Sequence, residues 1–412
     1  GEVMGVLFIG ILFLVLIIEI SMPWVMMVFA PGFIETPEKF NLTVEFTRIT
    51  FPYILLISLI SLLAGVLNSF GKFAAAAATP ILFNLCLIGS VLFLVPFLPS
   101  PGHALVWGVF LSGFVQLLWM IFNCFKNEIW FEMPVFVFSQ NVCTFLKRVL
   151  PVAMGAGIYQ INLLTDTIIA SFLPEGSISY LFFADRVNQL PLGVVGVAVG
   201  TALLPLLSRQ IQAGDERLAQ NSQNRAIEVS ILIALPASLA LALISEPLIQ
   251  VLFQRGEFGV EQVNATATAL SVFAVGLPAY VLIKALAPGF FSRGDTSTPV
   301  KIAAMAMFIN IILSLILMKP LLHVGIALAT VVSSWFNVSL MALLLYKRGN
   351  FILDTRLKAR FQGILLASVG MGVTLFFLMS QYSLLLDVEK FERIVALLVL
   401  VFSGLITFGV LA

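Results

Sequence analysis

Charge is what this sequence has least of. Only 10% of its 412 residues are Asp, Glu, Lys or Arg, against about 25% in average soluble domains, and that shortage excludes a soluble globular fold. The 22 basic and 21 acidic residues nearly cancel to a net charge of +1, so no excess of one sign suggests a nucleic-acid partner. Cysteine is scarce too. Cys86, Cys124 and Cys143 lie in or beside apolar segments without metal-ligand spacing, which argues against a disulfide framework or a zinc site and for three small hydrophobes. The two histidines, His103 and His323, fall in short connections at helix ends, where capping or interface roles are expected. There is no phosphate-cradling Gly-rich loop followed by Lys-Ser/Thr, and no Ser/His/Asp set. Enzymatic catalysis and ATP hydrolysis are therefore not expected, and an ion gradient or the membrane potential is the expected source of energy.

Apolar sequence is what remains, with 60% hydrophobic residues and a mean hydropathy of +1.08. Runs long enough to cross about 30 Å of hydrocarbon fall at 3–29, 44–69, 75–97, 103–124, 149–172, 178–207, 226–253, 265–291, 299–318, 323–346, 361–380 and 393–412. They are continuous rather than alternating, which predicts helices and not strands. The expected fold class is an all-α polytopic membrane protein with about twelve spans present. The first run is too long for a cleavable signal and lacks a small-residue cleavage site. The chain opens and stops inside apolar runs, so truncation at both ends is expected. Pro52, Pro151, Pro191, Pro236 and Pro278 lie within runs and should bend them. Gly196-Val-Ala-Val-Gly200 is a small-xxx-small pattern suited to close helix packing.

Basic residues concentrate in alternate connections: Lys72, then Lys126, Lys147 and Arg148, then Arg209, Arg217 and Arg225, then Arg293 and Lys301, then Lys347, Arg348, Arg356, Lys358 and Arg360. Positive-inside logic makes these cytoplasmic. The stretches 125–148 and 208–225 are expected to lie as amphipathic segments at the cytoplasmic interface. A weak repeat relates Phe51-Pro52-Tyr53, Asn68-Ser-Phe-Gly-Lys72 and Thr79-Pro80 to Leu277-Pro278-Ala279, Phe291-Ser-Arg-Gly-Asp295 and Thr298-Pro299. Two parallel lobes around a cavity, a common transporter plan, follow from it, with two helices expected to be missing before residue 1. The expected division is four helices of an N-terminal lobe in 1–124, an interfacial linker at 125–148, six helices of a C-terminal lobe in 149–346, and two additional helices in 347–412.

Polar residues inside the runs carry the functional reading. Arg186, preceded by Asp185, sits about nine residues or ~14 Å from the outer end of its helix at 1.5 Å per residue. An arginine at mid-span costs about 2.5–3.5 kcal/mol and does not face lipid, so it should face a cavity and bind something anionic. Asp185 points about 100° away from it. Gln160, Asn162 and Asp166 share the preceding helix, with Asn162 and Asp166 four apart on one face. Asp166 is a candidate cation or proton site, which Asn310, Ser314 and Thr330 could complete as an oxygen-ligand cluster. Lys284 and Arg48 lie nearer their helix ends, where snorkelling is expected.

The runs Ala30-Pro-Gly-Phe33, Ile49-Thr-Phe-Pro-Tyr-Ile-Leu-Leu56, Ala184-Asp-Arg186, Gly193-Val-Val-Gly-Val-Ala-Val-Gly-Thr201, Ala287-Pro-Gly-Phe-Phe-Ser-Arg293 and Thr298-Pro-Val-Lys-Ile302 resemble the MurJ/MviN flippases of the multidrug/oligosaccharidyl-lipid/polysaccharide exporter superfamily. The resemblance covers essentially the whole chain. It implies a fourteen-helix, two-lobe fold that moves lipid II, the undecaprenyl-diphosphate-linked peptidoglycan precursor, across the bacterial inner membrane by alternating access. Arg186 would be one of several cavity arginines, the others lying on the two absent helices, and Asp185 and Arg186 would contact substrate. Where some members carry an acid downstream of the arginine, this chain has Asn188 and Gln189. The resemblance also implies sodium as coupling ion at Asp166, Asn310 and Thr330, with Ser314 where a carboxylate can occur, and no other cofactor. Lipid II and membrane lipids are the expected partners, nucleic acid is not, and a monomer is expected. The rivals are a flippase for another polyprenyl-linked glycan, a cation-coupled drug exporter, and a non-transporting scaffold for envelope assembly.

Overall fold

The computed structural model describes residues 1–129, 137, 139–382 and 390–412. Thirteen α-helices carry the fold among these residues, and no strand is present. They are α1 (Glu2–Phe29), α2 (Pro37–Thr50), α3 (Tyr53–Ser69), α4 (Phe73–Leu94), α5 (Pro101–Lys126), α6 (Gln140–Ala170), α7 (Ser177–Gln212), α8 (Glu216–Leu243), α9 (Ser245–Phe253), α10 (Val260–Phe291), α11 (Ser297–Lys347), α12 (Thr355–Tyr382) and α13 (Lys390–Leu411). Nine helical stretches among the described residues are long and apolar enough to span a membrane. The all-helical, polytopic expectation holds.

Proline decides where the expected runs divide. The run read at 44–69 is α2 and α3, parted at Phe51-Pro52. The run at 226–253 is α8 and α9, parted at Ile244, because Pro247 lacks an N–H and its ring excludes the carbonyl four residues back. Pro191, Pro236 and Pro278 are instead absorbed within continuous helices.

The chain forms two compact units, Gly1–Gly157 and Ile158–Ala412, parted within α6. In the first, α5 packs against α2, α3 and α4 around Ile60, Leu63, Leu67, Met120 and Cys124. In the second, α10 is the central post, surrounded by α7, α8, α9 and α11. Its buried positions are rich in Ala and Gly, among them Ala267, Ala274, Gly276, Ala279, Ala285 and Gly289, the small residues that let helices approach where water does not drive them together.

α11 runs for 51 residues, about 76 Å at 1.5 Å per residue, far more than one crossing. Leu322 breaks it with φ 51° and ψ −133°. A Cβ on Gly325 would fall 2.4 Å from the Leu317 carbonyl oxygen, a contact that eight residues of straight helix could not make. The chain therefore reverses here into a hairpin, matching the runs read at 299–318 and 323–346.

The repeat has a physical counterpart at the helix ends. After α3, Gly71 takes φ +74° and Lys72 N–H donates to Leu67 O at 2.9 Å. After α10, Gly294 takes φ +76° and Asp295 N–H donates to Phe290 O at 3.1 Å. Both are left-handed glycine caps of the Schellman type. The same cap at Gly214, followed by Asp215 accepting from Leu218 N–H at 2.8 Å, divides the 208–225 stretch, read as interfacial, between two helices. It is the end of α7, a tight turn and the capped start of α8. In the other stretch so read, 125–148, residues 130–136 and 138 lie outside the described residues.

Candidate functional site

α7 buries one side and opens the other. Ala184 and Val187 pack into a core with Ile249, Ala267, Leu270 and Val331, while Arg186 is exposed. Its guanidinium lies over the Phe182 ring, 4.8 Å from the centroid, one helical turn back. Asp185 does not neutralise it by a direct bond; its carboxylate accepts a hydrogen bond from Gln189. Adjacent residues on a helix diverge by about 100°, so the pair separates as expected. Among the described residues no carboxylate stands within ion-pair distance of Arg186. Asn188, beside Gln189, is buried.

The polar cluster expected around Asp166 assembles. Asn310 donates from Nδ2 to Asp166 Oδ1 at 2.7 Å and to Asn162 Oδ1 at 3.2 Å. Thr330 Oγ1 lies 3.5 Å from Asp166 Oδ2, and Ser314 Oγ lies 3.5 Å from Asn310 Oδ1. Asn310 and Ser314 are fully buried. The hairpin of α11 makes this possible, bringing Asn310 on one limb and Thr330 on the other to a single carboxylate of α6. The donor set is all oxygen apart from the Asn310 amide nitrogen, with one carboxylate, and among the described residues no cluster of three or more His, Cys, Asp or Glu suits a metal ion. Such a set fits a hard monovalent cation better than a transition metal, provided the Asn310 amide turns its oxygen inward.

Of the remaining candidates, Gln160 and Lys284 are exposed, and Arg48 is exposed in the last turn of α2. Sequence reasoning missed Phe182 beneath Arg186 and Gln189 on Asp185, although the four-residue spacing of both pairs is a readable signal.

Several of the basic residues read as cytoplasmic also tie one end of the second unit together. Arg225 pairs with Glu228 and Asp354, Arg293 with Glu216, and Arg348 with Asp295 at 2.6 Å. The Thr298 hydroxyl, the Arg348 guanidinium and the Thr298 N–H hold the Asp295 carboxyl well below the usual carboxylate range.

Known proteins share this fold. The profile of one family, described as "Lipid II flippase MurJ", matches residues 1–397. The chain belongs to the MurJ family. A probable lipid II flippase MurJ of Rhizobium tropici is 40% identical over 389 residues, 93% of this chain and 73% of that protein. A lipid II flippase MurJ of Burkholderia cenocepacia is 34% identical over 333 residues, 79% of this chain and 64% of the relative. The fold is that of a solved MurJ in an inward closed conformation, with a TM-score of 0.80 at 24% identity, covering 99% of this chain and 83% of that one. An inward-facing MATE transporter of the MOP superfamily follows at 0.66 and 16%, covering 85% and 80%. Nine membrane-length apolar helices among the described residues, together with MurJ membership, make this a multi-pass protein of the bacterial inner membrane.

Proposed function

We propose that this chain is a flippase that carries lipid II across the bacterial inner membrane by alternating access, a transport role with no chemical step. Membership of the MurJ family across residues 1–397 carries this reading. Arg186 supplies the local chemistry: an exposed guanidinium at mid-span depth offers five donors to diphosphate oxygens, while a polyprenyl tail stays in lipid. Phe182 keeps the guanidinium extended from below, and Gln189 holds Asp185 aside. The test is replacement of Arg186 by Ala in the full-length protein, scored by growth complementation and by lipid II translocation. Undiminished translocation at normal expression would remove Arg186 from the mechanism, and a parent protein that exports drugs but ignores lipid II would overturn the substrate.

Asp166, Asn162, Asn310 and Thr330 would hold the coupling ion, for which sodium is the candidate. One half-buried carboxylate among neutral oxygens supports that reading. Bound there, the cation would replace the Asn310 N–H as the partner of Asp166 and so tie α6 to both limbs of α11. Sodium, and not potassium, should raise the melting temperature of the full-length protein, and Asp166→Ala should abolish the difference. An equal response in parent and variant would place the ion elsewhere.

A further inference from the structure

Lys284 has surroundings that suggest a second role beside snorkelling. It is exposed on α10 although Val281, Ala285 and Leu286 around it are buried. The exposed positions of the outer half of α10, Asn264, Thr268 and Val275, recur on one face, and Lys284 falls about 180° from them at 100° per residue. The opposite face is the one against α7. A Cβ on Gly196 would sit 3.5 Å from Lys284 Cγ, and one on Gly200 would sit 3.8 Å from Lys284 Cβ. The lysine stem therefore lies across the two small residues of the small-xxx-small pattern.

That position adjoins the strip of α7 that carries Arg186. Phe182, Arg186, Gly193 and Gly200 fall within about 40° of one another around the helix axis. A Cβ on Gly193 would meet nothing within 4 Å. From Arg186 to Gly200 the strip runs about 21 Å, with open space at Gly193 and Lys284 at its cytoplasmic end. Arg186 lies too deep to reach an interface and so faces a polar space; Lys284, on the same strip, opens to that space as well.

We propose that Lys284 is a second anion contact of the transport path, engaging the diphosphate of the lipid-linked substrate on the cytoplasmic side of Arg186. The proposal rests on the lipid-carrier reading above. Among the described residues no carboxylate pairs with Lys284, and an ammonium is a strong point charge for phosphate oxygens. A diphosphate is far too short to bridge both cations, so they act in succession, with the unobstructed strip at Gly193 between them.

The test measures binding of a polyprenyl diphosphate, and of the uncharged polyprenol, to the full-length protein in nanodiscs, together with transport at varied substrate. Lys284→Gln should weaken diphosphate binding roughly tenfold, as loss of one charge-assisted contact would, raise the half-saturating concentration in step, and leave polyprenol binding unchanged. Lys284→Arg should restore binding. Lys284→Met, which keeps the stem over Gly196 and Gly200, covers the case in which the glutamine variant fails to assemble. Gly193→Leu should fold, because its Cβ has room, yet lower the maximal rate by obstructing the strip. If Lys284→Gln and Lys284→Met bind and transport like the parent while Arg186→Gln does not, Lys284 is a lipid-facing anchor and the proposal fails. If the parent itself does not bind the diphosphate, the lipid-carrier reading fails first and this role goes with it.

Discussion

Arg186 and Asp166 are both ionisable side chains at spanning depth in one unit, and they are held in opposite ways. Arg186 has an aromatic ring beneath it at 4.8 Å and, among the described residues, no carboxylate partner. Asp166 is half-buried among partners, with Asn310 donating at 2.7 Å and Thr330 at 3.5 Å. A buried charge costs free energy unless its hydrogen-bonding capacity is filled. Where the unit itself fills that capacity, the group is structural or holds an ion small enough to fit among its partners. Where it is left open on an exposed strip, the missing partner has to arrive with the substrate.

The contrast breaks most directly at Arg186. Arg186→Ala should cost transport roughly ten- to hundredfold, from about 1.5–3 kcal/mol per charge-assisted contact, while the melting temperature stays close to that of the parent. A large loss of stability with transport proportional to folded protein would place Arg186 among the structural charges. Asn310→Ala should do the reverse. Removing the 2.7 Å donor to Asp166 should destabilise by about 1–3 kcal/mol, read as a lower denaturation midpoint, before any effect on substrate affinity. Phe182→Ala is a milder version of the first change: loss of the cation–π contact should cost about 0.5–1 kcal/mol in substrate affinity, with the charge itself intact.

Asp295 sharpens the comparison from outside the membrane. Its carboxyl is held below the ordinary value, so the Asp295–Arg348 contribution is fully present above the unfolded carboxylate pKa of about 3.9 and is lost only as pH falls further toward the folded value. The melting difference between the parent and Asp295→Asn should therefore be constant from neutral pH down to about pH 5 and shrink below about pH 4. A difference already fading near pH 6 would contradict this.

The helices were legible in the sequence because length and apolarity are written locally. Burial was not. α4 and α10 are almost equally apolar, yet 6% of the most apolar stretch of the first and 61% of that of the second is buried. Lipid and protein interior are equally apolar, so hydropathy cannot separate the two faces. The distinguishing signal is size, with Ala and Gly lining α10 and Ile81, Leu85, Ile88, Leu92 and Phe93 exposed on α4. The Asp166 cluster was foreseeable from polar residues at four-residue spacing, since any charge in an apolar run needs partners. Its closure across the α11 hairpin was not, because three-dimensional proximity of Asn310 and Thr330 depends on a reversal that only Leu322 and Gly325 mark. The 208–225 stretch is polar throughout, and within it only Gly214 and Asp215 mark where α7 ends and α8 begins.

The reversal at Leu322 also bears on how this chain enters a bilayer. With Leu317 and Gly325 in backbone contact, the two limbs of α11 are joined only by the short exposed turn at 319–322. They are built for insertion as one helical hairpin, leaving the outer surface at this point with almost no chain for a protease or antibody to grip.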